Sequence, residues 1–247
     1  MRNYKLILEY DGSDFHGWQI QPGLRTVQGV SEEALKILLQ ESVQVVGAGR
    51  TDGGVHALGQ VANFKTNKEI PLSGMQKGGN SLLPEDLWIK KVEEVPLDFN
   101  ARFDAKSKVY RYEVSRVRSP LKRRFAWEVD YSLDLDRMEE GAKGFWGEHD
   151  FTSFSKNGDS SETLNHEPYF STVSRCRWHK EGGSFVLEIE GIRFFRNMVR
   201  IMVGTLVEVG RGRFSPQDIQ RMLDAKDRCV AGPTAPPQGL CLVEVKY

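Results

Sequence analysis

Over the first hundred residues the apolar positions switch repeatedly between a period of two and a period near 3.6, and this alternation restricts the available folds more than any single motif does. Residues 4–10 alternate as a strand does and stop at Asp11-Gly12, a turn pair. Val27, Val30, Ala34, Leu35, Leu38 and Leu39 then recur at helical spacing behind Thr26, a capping side chain, which predicts a helix over 27–40. Strands are predicted at 43–48 and 58–64, a short helix near 72–82, and a strand at 87–95. The resulting order, β-α-β-β-α-β, is the ferredoxin-like arrangement.

Residues 98–104 lack periodicity and lead into a basic strand at 108–115, so a domain boundary falls near 105. It separates an N-terminal subdomain, 1–105, from a C-terminal α+β subdomain, 106–247. The second half repeats the theme loosely, with strands expected at 108–115, 125–131, 172–179, 184–190 and 240–245, and helices at 134–146, 193–209 and 216–225. Residues 156–169, rich in Ser, Asn and Gly, read as a long surface loop. The expected fold is therefore α+β: two ferredoxin-like subdomains, mainly antiparallel, whose sheets join into one central sheet with an active-site cleft between them.

A chain of 247 residues can bury a sizeable core as one large or two ordinary domains. Cys176, Cys229 and Cys241 have neither Cys-x-x-Cys nor metal-ligand spacing, and their odd number argues against a disulfide framework. Leu6 to Leu8, the first apolar stretch, is cut short by Glu9, which speaks against a signal peptide or a membrane span. A soluble, cytoplasmic protein is expected.

The net charge is zero, 34 cationic against 34 acidic residues, so overall charge points to no polyanionic partner. Its distribution says more. Between Lys106 and Arg124 stand eight basic residues, Lys122, Arg123 and Arg124 among them, against the single acid Glu113. Further groups lie at Arg175, Arg177 and Lys180, and at Arg193, Arg196, Arg200, Arg211 and Arg213. Gathered on one face these would present a positive surface to a phosphate backbone; separately each is an ordinary solvated edge.

Gly49-Arg50-Thr51-Asp52-Gly53-Gly54-Val55-His56 places one carboxylate on a glycine-bracketed bend between two predicted strands, with a cation two residues away. Asp52 can project into a cleft from such a bend, although Asp-Gly is equally a hairpin turn pair. On the predicted helix 193–209, Arg193, Arg196 and Arg200 share one stripe of an otherwise apolar surface. Buried guanidinium groups need an anionic partner, for which Asp52 is a candidate; a purely structural ion pair is the alternative. Tyr110 and Tyr112 lie on one strand face with Lys108, an arrangement suited to base stacking and equally to a half-buried strand. Phe15-His16-Gly17-Trp18-Gln19 offers aromatics that serve as core plugs or as base platforms. His56, His149 and His166 lack metal-ligand spacing, and neither a phosphate-binding glycine loop nor a Gly-x-Ser-x-Gly elbow is present.

Taken in order, Tyr10-Asp11-Gly12 with Phe15-His16-Gly17-Trp18-Gln19, Arg25-Thr26-Val27-Gln28-Gly29, the segment Gly49 to His56, Tyr110-Arg111-Tyr112, Gly147-Glu148-His149-Asp150-Phe151, Asn197-Met198-Val199-Arg200 and Thr234-Ala235-Pro236-Pro237-Gln238-Gly239-Leu240 resemble the tRNA pseudouridine synthase A family. The resemblance spans nearly the whole chain. It implies isomerisation of uridine to pseudouridine at tRNA positions 38 to 40, in the anticodon stem-loop, by a homodimer using no metal or organic cofactor. It also implies Asp52 as the nucleophile, Tyr110 as a contact to the target base, and Arg50 and Arg200 as arginines that organise the aspartate and the RNA. Lys122, Arg123, Arg124, Arg193 and Arg196 are the expected contacts to the rest of the tRNA.

The chemistry is consistent with those assignments. The N1 to C1′ bond must break, the base must turn over while bound, and C5 must join C1′. An ionised carboxylate can assist by attacking the sugar or the base, or by removing a ribose proton. The rival from another class is a non-catalytic RNA-binding module, since ferredoxin-like sheets with strand aromatics bind single-stranded RNA. A hydrolase pairing Asp52 with His56 is a weaker one.

Overall fold

The structure is a computed structural model that describes residues 1–156 and 169–247; most of the surface loop expected at 156–169 lies outside the described residues. The chain is α+β and divides into two compact units, Met1–Lys106 with Cys241–Tyr247, and Ser107–Leu240.

The first unit contains β1 (Arg2–Tyr10), α1 (Val27–Leu39), β2 (Val46–Gly47), β3 (His56–Thr66), α2 (Leu72–Leu82) and β4 (Leu87–Val95), and so has the β-α-β-β-α-β order. β1 pairs antiparallel with both β3 and β4, and β2 pairs antiparallel with β3. The expected strand 43–48 shrinks to two residues. At its start β3 is joined by the C-terminal strand β10 (Leu240–Lys246), parallel, with Cys241 opposite His56.

Alternation on β1 buries Tyr4, Leu6, Leu8 and Tyr10. Leu6 and Leu8 each contribute roughly 1.5–3 kcal/mol by leaving water. α1 begins at Thr26, whose hydroxyl accepts from the Gly29 amide, and buries Val27, Ala34, Leu35 and Leu39. The aperiodic stretch near residue 100 is not a free linker. Asn3 Nδ2 donates to the carbonyls of Pro96 and Phe99 at 2.9 Å each, Asn63 Nδ2 donates to Asn3 Oδ1, and Asn63 Oδ1 accepts from the Ala101 amide.

The second unit contains β5 (Ser107–Ser115), β6 (Trp127–Glu128), α3 (Leu135–Lys143), β7 (Gly147–Asp150), β8 (Phe170–Glu181), β9 (Ser184–Gly191), α4 (Met198–Gly210) and α5 (Asp218–Ala225). Within it β5, β9, β8 and β7 follow one another as an antiparallel sheet, and β6 runs parallel to β5. The expected strand 125–131 reduces to β6, and β7 is an addition to the expected set. α4 is buried along its length apart from Arg200.

The helix expected at 193–209 starts only at Met198, because Asn197 at its N-cap takes a left-handed conformation, φ 60°. Arg193 and Arg196 therefore lie on the connection before α4, both exposed, and do not form a stripe with Arg200. Among the described residues no helix is long and apolar enough to cross a membrane.

Candidate active site

Eight residues, 48–55, separate β2 from β3, so Asp52 is not part of a two-residue hairpin. Asp52 opens a four-residue turn in which the Val55 amide donates to the Asp52 carbonyl at 3.2 Å. Gly54, third in the turn, has φ 79°, the position and sign that a type II turn reserves for glycine. The side chain of Asp52 is half-buried and Arg50 is exposed.

Buried polar groups hold the foot of this loop. The Thr51 and Tyr10 hydroxyls meet at 2.8 Å, and Gln60 Nε2 donates to the Gly49 carbonyl at 2.9 Å. Burial drives the Tyr10 hydroxyl well above its ordinary pKa, against the partial relief given by Thr51 and Gln60, so it stays a neutral phenol.

A second segment, 11–18, lies along the loop. Trp18 donates its amide to the Thr51 carbonyl at 3.0 Å, and the Gly54 amide donates to the Phe15 carbonyl at 3.2 Å. Gly17 sits at φ 89° with its α-carbon against Thr51; a β-carbon there would lie 2.6 Å from the Thr51 oxygen. Phe15 and Trp18 are core plugs, each 3% exposed. The Arg25 guanidinium stacks on Phe15 at 4.0 Å and forks onto both carboxylate oxygens of Asp86 at 2.7 Å. The Asp86 carboxylate, largest among the influences on it, keeps Arg25 charged above its usual range. His56 turns its Nδ1 towards the Gly12 amide and Asp11. Sequence reasoning passed over Asp11, Gly12, Thr51 and Gln60 as site residues; the glycines bracketing Phe15 and Trp18 were the available signal of two loops in close backbone contact.

In the second unit, Tyr110 on β5 is 6% exposed, with its ring edge-on to Phe194 at 5.2 Å. Tyr112 lies on the same face, fully buried, and its hydroxyl donates to the Pro236 carbonyl at 2.7 Å. Arg200 is half-buried. Its Nε donates to the Ala235 carbonyl and its Nη1 to Asn197 Oδ1, both at 2.8 Å, while its own carbonyl accepts from the Ala235 amide. The proline-rich segment before β10 thus anchors both the guanidinium and the tyrosine strand. Arg193 lies over the Phe195 ring at 4.8 Å. Lys122 pairs with Glu113 at 2.8 Å, and Arg123 donates to the Pro120 carbonyl. Among the described residues no group of His, Cys, Asp and Glu is placed to hold a metal.

Comparison with known proteins gives a consistent result. A model of the tRNA pseudouridine synthase family matches residues 6–104 and 142–247. Relatives named tRNA pseudouridine synthase A match over the full length of both chains: 46% identical in Geotalea uraniireducens (strain Rf4), 47% in Geotalea daltonii (strain DSM 22248 / JCM 15807 / FRC-32) and 45% in Acetivibrio thermocellus (strain ATCC 27405 and its equivalents).

Proposed function

The chain belongs to the tRNA pseudouridine synthase family, and from that premise we propose that it isomerises uridines 38 to 40 in the anticodon stem-loop of tRNA, with Asp52 as the catalytic group. Pseudouridine synthesis in tRNA makes the protein an isomerase, not a passive RNA-binding module. The finer reading rests chiefly on one observation: Asp52 opens a turn whose two flanks, Thr51 and Gly54, are each tied by backbone hydrogen bonds to segment 11–18. A half-exposed carboxylate on so constrained a loop can meet a substrate without first being ordered, the condition under which positioning lowers a barrier.

In this reading the target uridine leaves its stack at a cost of about a few kcal/mol, and Phe194 gives up its place beside Tyr110 to the base, a stacking contact worth roughly 1–3 kcal/mol that offsets part of that cost. The electron pair of the N1–C1′ bond leaves with the base, the base turns over, C5 bonds to C1′, and the C5 proton goes to solvent while N1 takes one up, so the product is the neutral isomer. Asp52 enters by attack on the sugar or the base, or by taking a ribose proton. Arg50 and the anchored guanidinium of Arg200 bind the substrate RNA. Lys122, Arg123, Arg124, Arg193 and Arg196 meet the phosphate backbone. The enzyme works in the cytoplasm as a homodimer and needs no metal or organic cofactor.

Asp52→Asn keeps the shape of the side chain and removes its charge. The variant is expected to bind unmodified tRNA with a Kd within about threefold of the parent while carbodiimide mapping finds no pseudouridine, since losing a catalytic carboxylate removes chemistry and not binding. Retained turnover in Asp52→Asn refutes the assignment.

A further inference from the structure

Segment 11–18 grips the Asp52 turn from both sides, and one of its contacts is a buried imidazole to which the reaction outlined above gives no task. Ahead of Asp52 the grip is the Trp18 amide on the Thr51 carbonyl at 3.0 Å; behind it, the Gly54 amide on the Phe15 carbonyl at 3.2 Å. Gly12 lies against the Val55 peptide so closely that a β-carbon on it would stand 2.0 Å from the Val55 oxygen. His56 follows directly, 5% exposed, with Nδ1 3.0 Å from the Gly12 amide and 3.1 Å from Asp11 Oδ1. An Nδ1 that accepts from the Gly12 amide leaves the proton of the neutral ring on Nε2, whereas a protonated Nδ1 pairs with Asp11 Oδ1; either contact ties the ring to residues 11 and 12. Asp11 Oδ1 is itself held by the Ser13 amide at 2.9 Å. The imidazole therefore fastens the start of segment 11–18 to the chain four residues after Asp52.

We propose that His56 is a positioning residue for the isomerisation: by accepting from Gly12 it keeps segment 11–18 seated on the Val55 peptide, and through that peptide it sets where the Asp52 carboxylate stands. The proposal rests on Asp52 being the catalytic group. Other bonds keep the segment attached when the imidazole is removed: Asp11 amide to Asp86 carbonyl at 3.1 Å, His16 amide to Arg25 carbonyl at 2.8 Å, and the Val27 and Gln28 amides to the Gly17 and Trp18 carbonyls. Losing the imidazole thus loosens the turn while leaving the unit folded. A displacement of about 1 Å at a reacting group costs on the order of 100-fold in rate, so a small slackening is measurable.

The test uses the full-length protein and an unmodified tRNA transcript tritiated at uridine C5, because C5 loses its hydrogen to water as it bonds to C1′. His56→Asn returns an acceptor near the place of Nδ1, His56→Gln offers one near Nε2, and His56→Leu offers none. Single-turnover tritium release at saturating enzyme is expected to fall at least ~10-fold in His56→Leu and His56→Gln, to recover most of that loss in His56→Asn, and to do so with the tRNA Kd within ~3-fold throughout. Parental rates in His56→Leu, or His56→Gln equal to or faster than His56→Asn, overturn the proposal. If His56→Leu does not fold, the comparison of Asn with Gln decides. Asp52→Asn is measured alongside: turnover there sinks the reading of Asp52 and this proposal with it, whereas an inert Asp52→Asn beside a fully active His56→Leu sinks this proposal alone.

Discussion

The hydroxyls of Tyr10 and Thr51, 2.8 Å apart, share one buried hydrogen bond at the foot of the Asp52 loop. Tyr10→Phe removes one partner at constant shape and leaves the Thr51 hydroxyl without it, a loss of about 1–2 kcal/mol. In a chain of this size that lowers the melting temperature by roughly 2–4 °C per kcal/mol, measurable by calorimetry; an unchanged Tm would show that the bond contributes nothing net. Asp150 is a second case, in the Gly147 to Phe151 motif. Burial opposes its ionisation, but the hydroxyl and amide of Thr152 and the Lys226 ammonium at 3.3 Å outweigh burial and hold the carboxyl below its ordinary range. A depressed folded pKa adds stability that is complete above the unfolded value, near 4, and is lost as pH falls through the folded one. Asp150→Asn is therefore expected to be less stable than the parent to urea at pH 7 and to differ little from it near pH 2; a gap that widens on acidification contradicts this account. Residue identities of this kind were only partly legible in the sequence. Asp52 stood out because glycines bracket it, whereas Asp11, Thr51 and Gln60 act through partners on other segments, which a linear reading does not bring together.

At the scale of elements, α4 and the segment that crosses it carry the clearest expectation. Gly204 faces the Pro233 carbonyl oxygen, which a β-carbon would approach to 1.8 Å, and the Thr205 hydroxyl accepts from the Gly232 amide at 2.9 Å. Alanine in place of glycine normally favours a helix by about 1 kcal/mol. Here the obstacle is backbone, so Gly204→Ala must push the crossing segment away and take the Ala235 carbonyl from Arg200. Both a lower Tm and slower single-turnover isomerisation are expected; a raised Tm would show that the segment yields without cost. Strong periodicity made α1, α2 and β4 readable close to their true limits. It failed for α4, whose apolar pattern continues backwards through Phe194 and Phe195 although Asn197 breaks the helix; those rings pack on Tyr110 and Tyr169 instead. β2 and β6 came out short, each pairing with its neighbour over two residues only, and such cross-strand pairing is not recorded in the local pattern.

For the molecule as a whole, equal numbers of cations and anions mean that a polyanion is met by arrangement and not by excess charge. Much of what the sequence presents as basic clusters is neutralised by carboxylates on neighbouring strands and helices. Arg111 pairs with Glu181 at 2.8 Å, Lys122 with Glu113 at 2.8 Å, Arg175 with Glu188 and Glu190, Arg177 with Glu139, and Arg211 and Arg213 with the buried Glu208. Between Lys106 and Arg124, Arg116, Arg118 and Arg123 enter no carboxylate pair among the described residues. Leu121, 88% exposed, and Phe125 flank the last of them. Counterion release ties the salt slope of tRNA binding to the number of phosphates neutralised, about 0.9 per contact on a duplex. A lysine already facing a carboxylate contributes less to that slope than an arginine that faces none. Arg123→Ala is therefore expected to flatten log Kd against log salt by close to one contact, and Lys122→Ala by clearly less, since its removal also frees the charge of Glu113. Equal slopes in both variants and the parent would move the RNA face away from this segment. A steeper loss in Lys122→Ala than in Arg123→Ala would mean that tRNA displaces Glu113 and takes the lysine for itself.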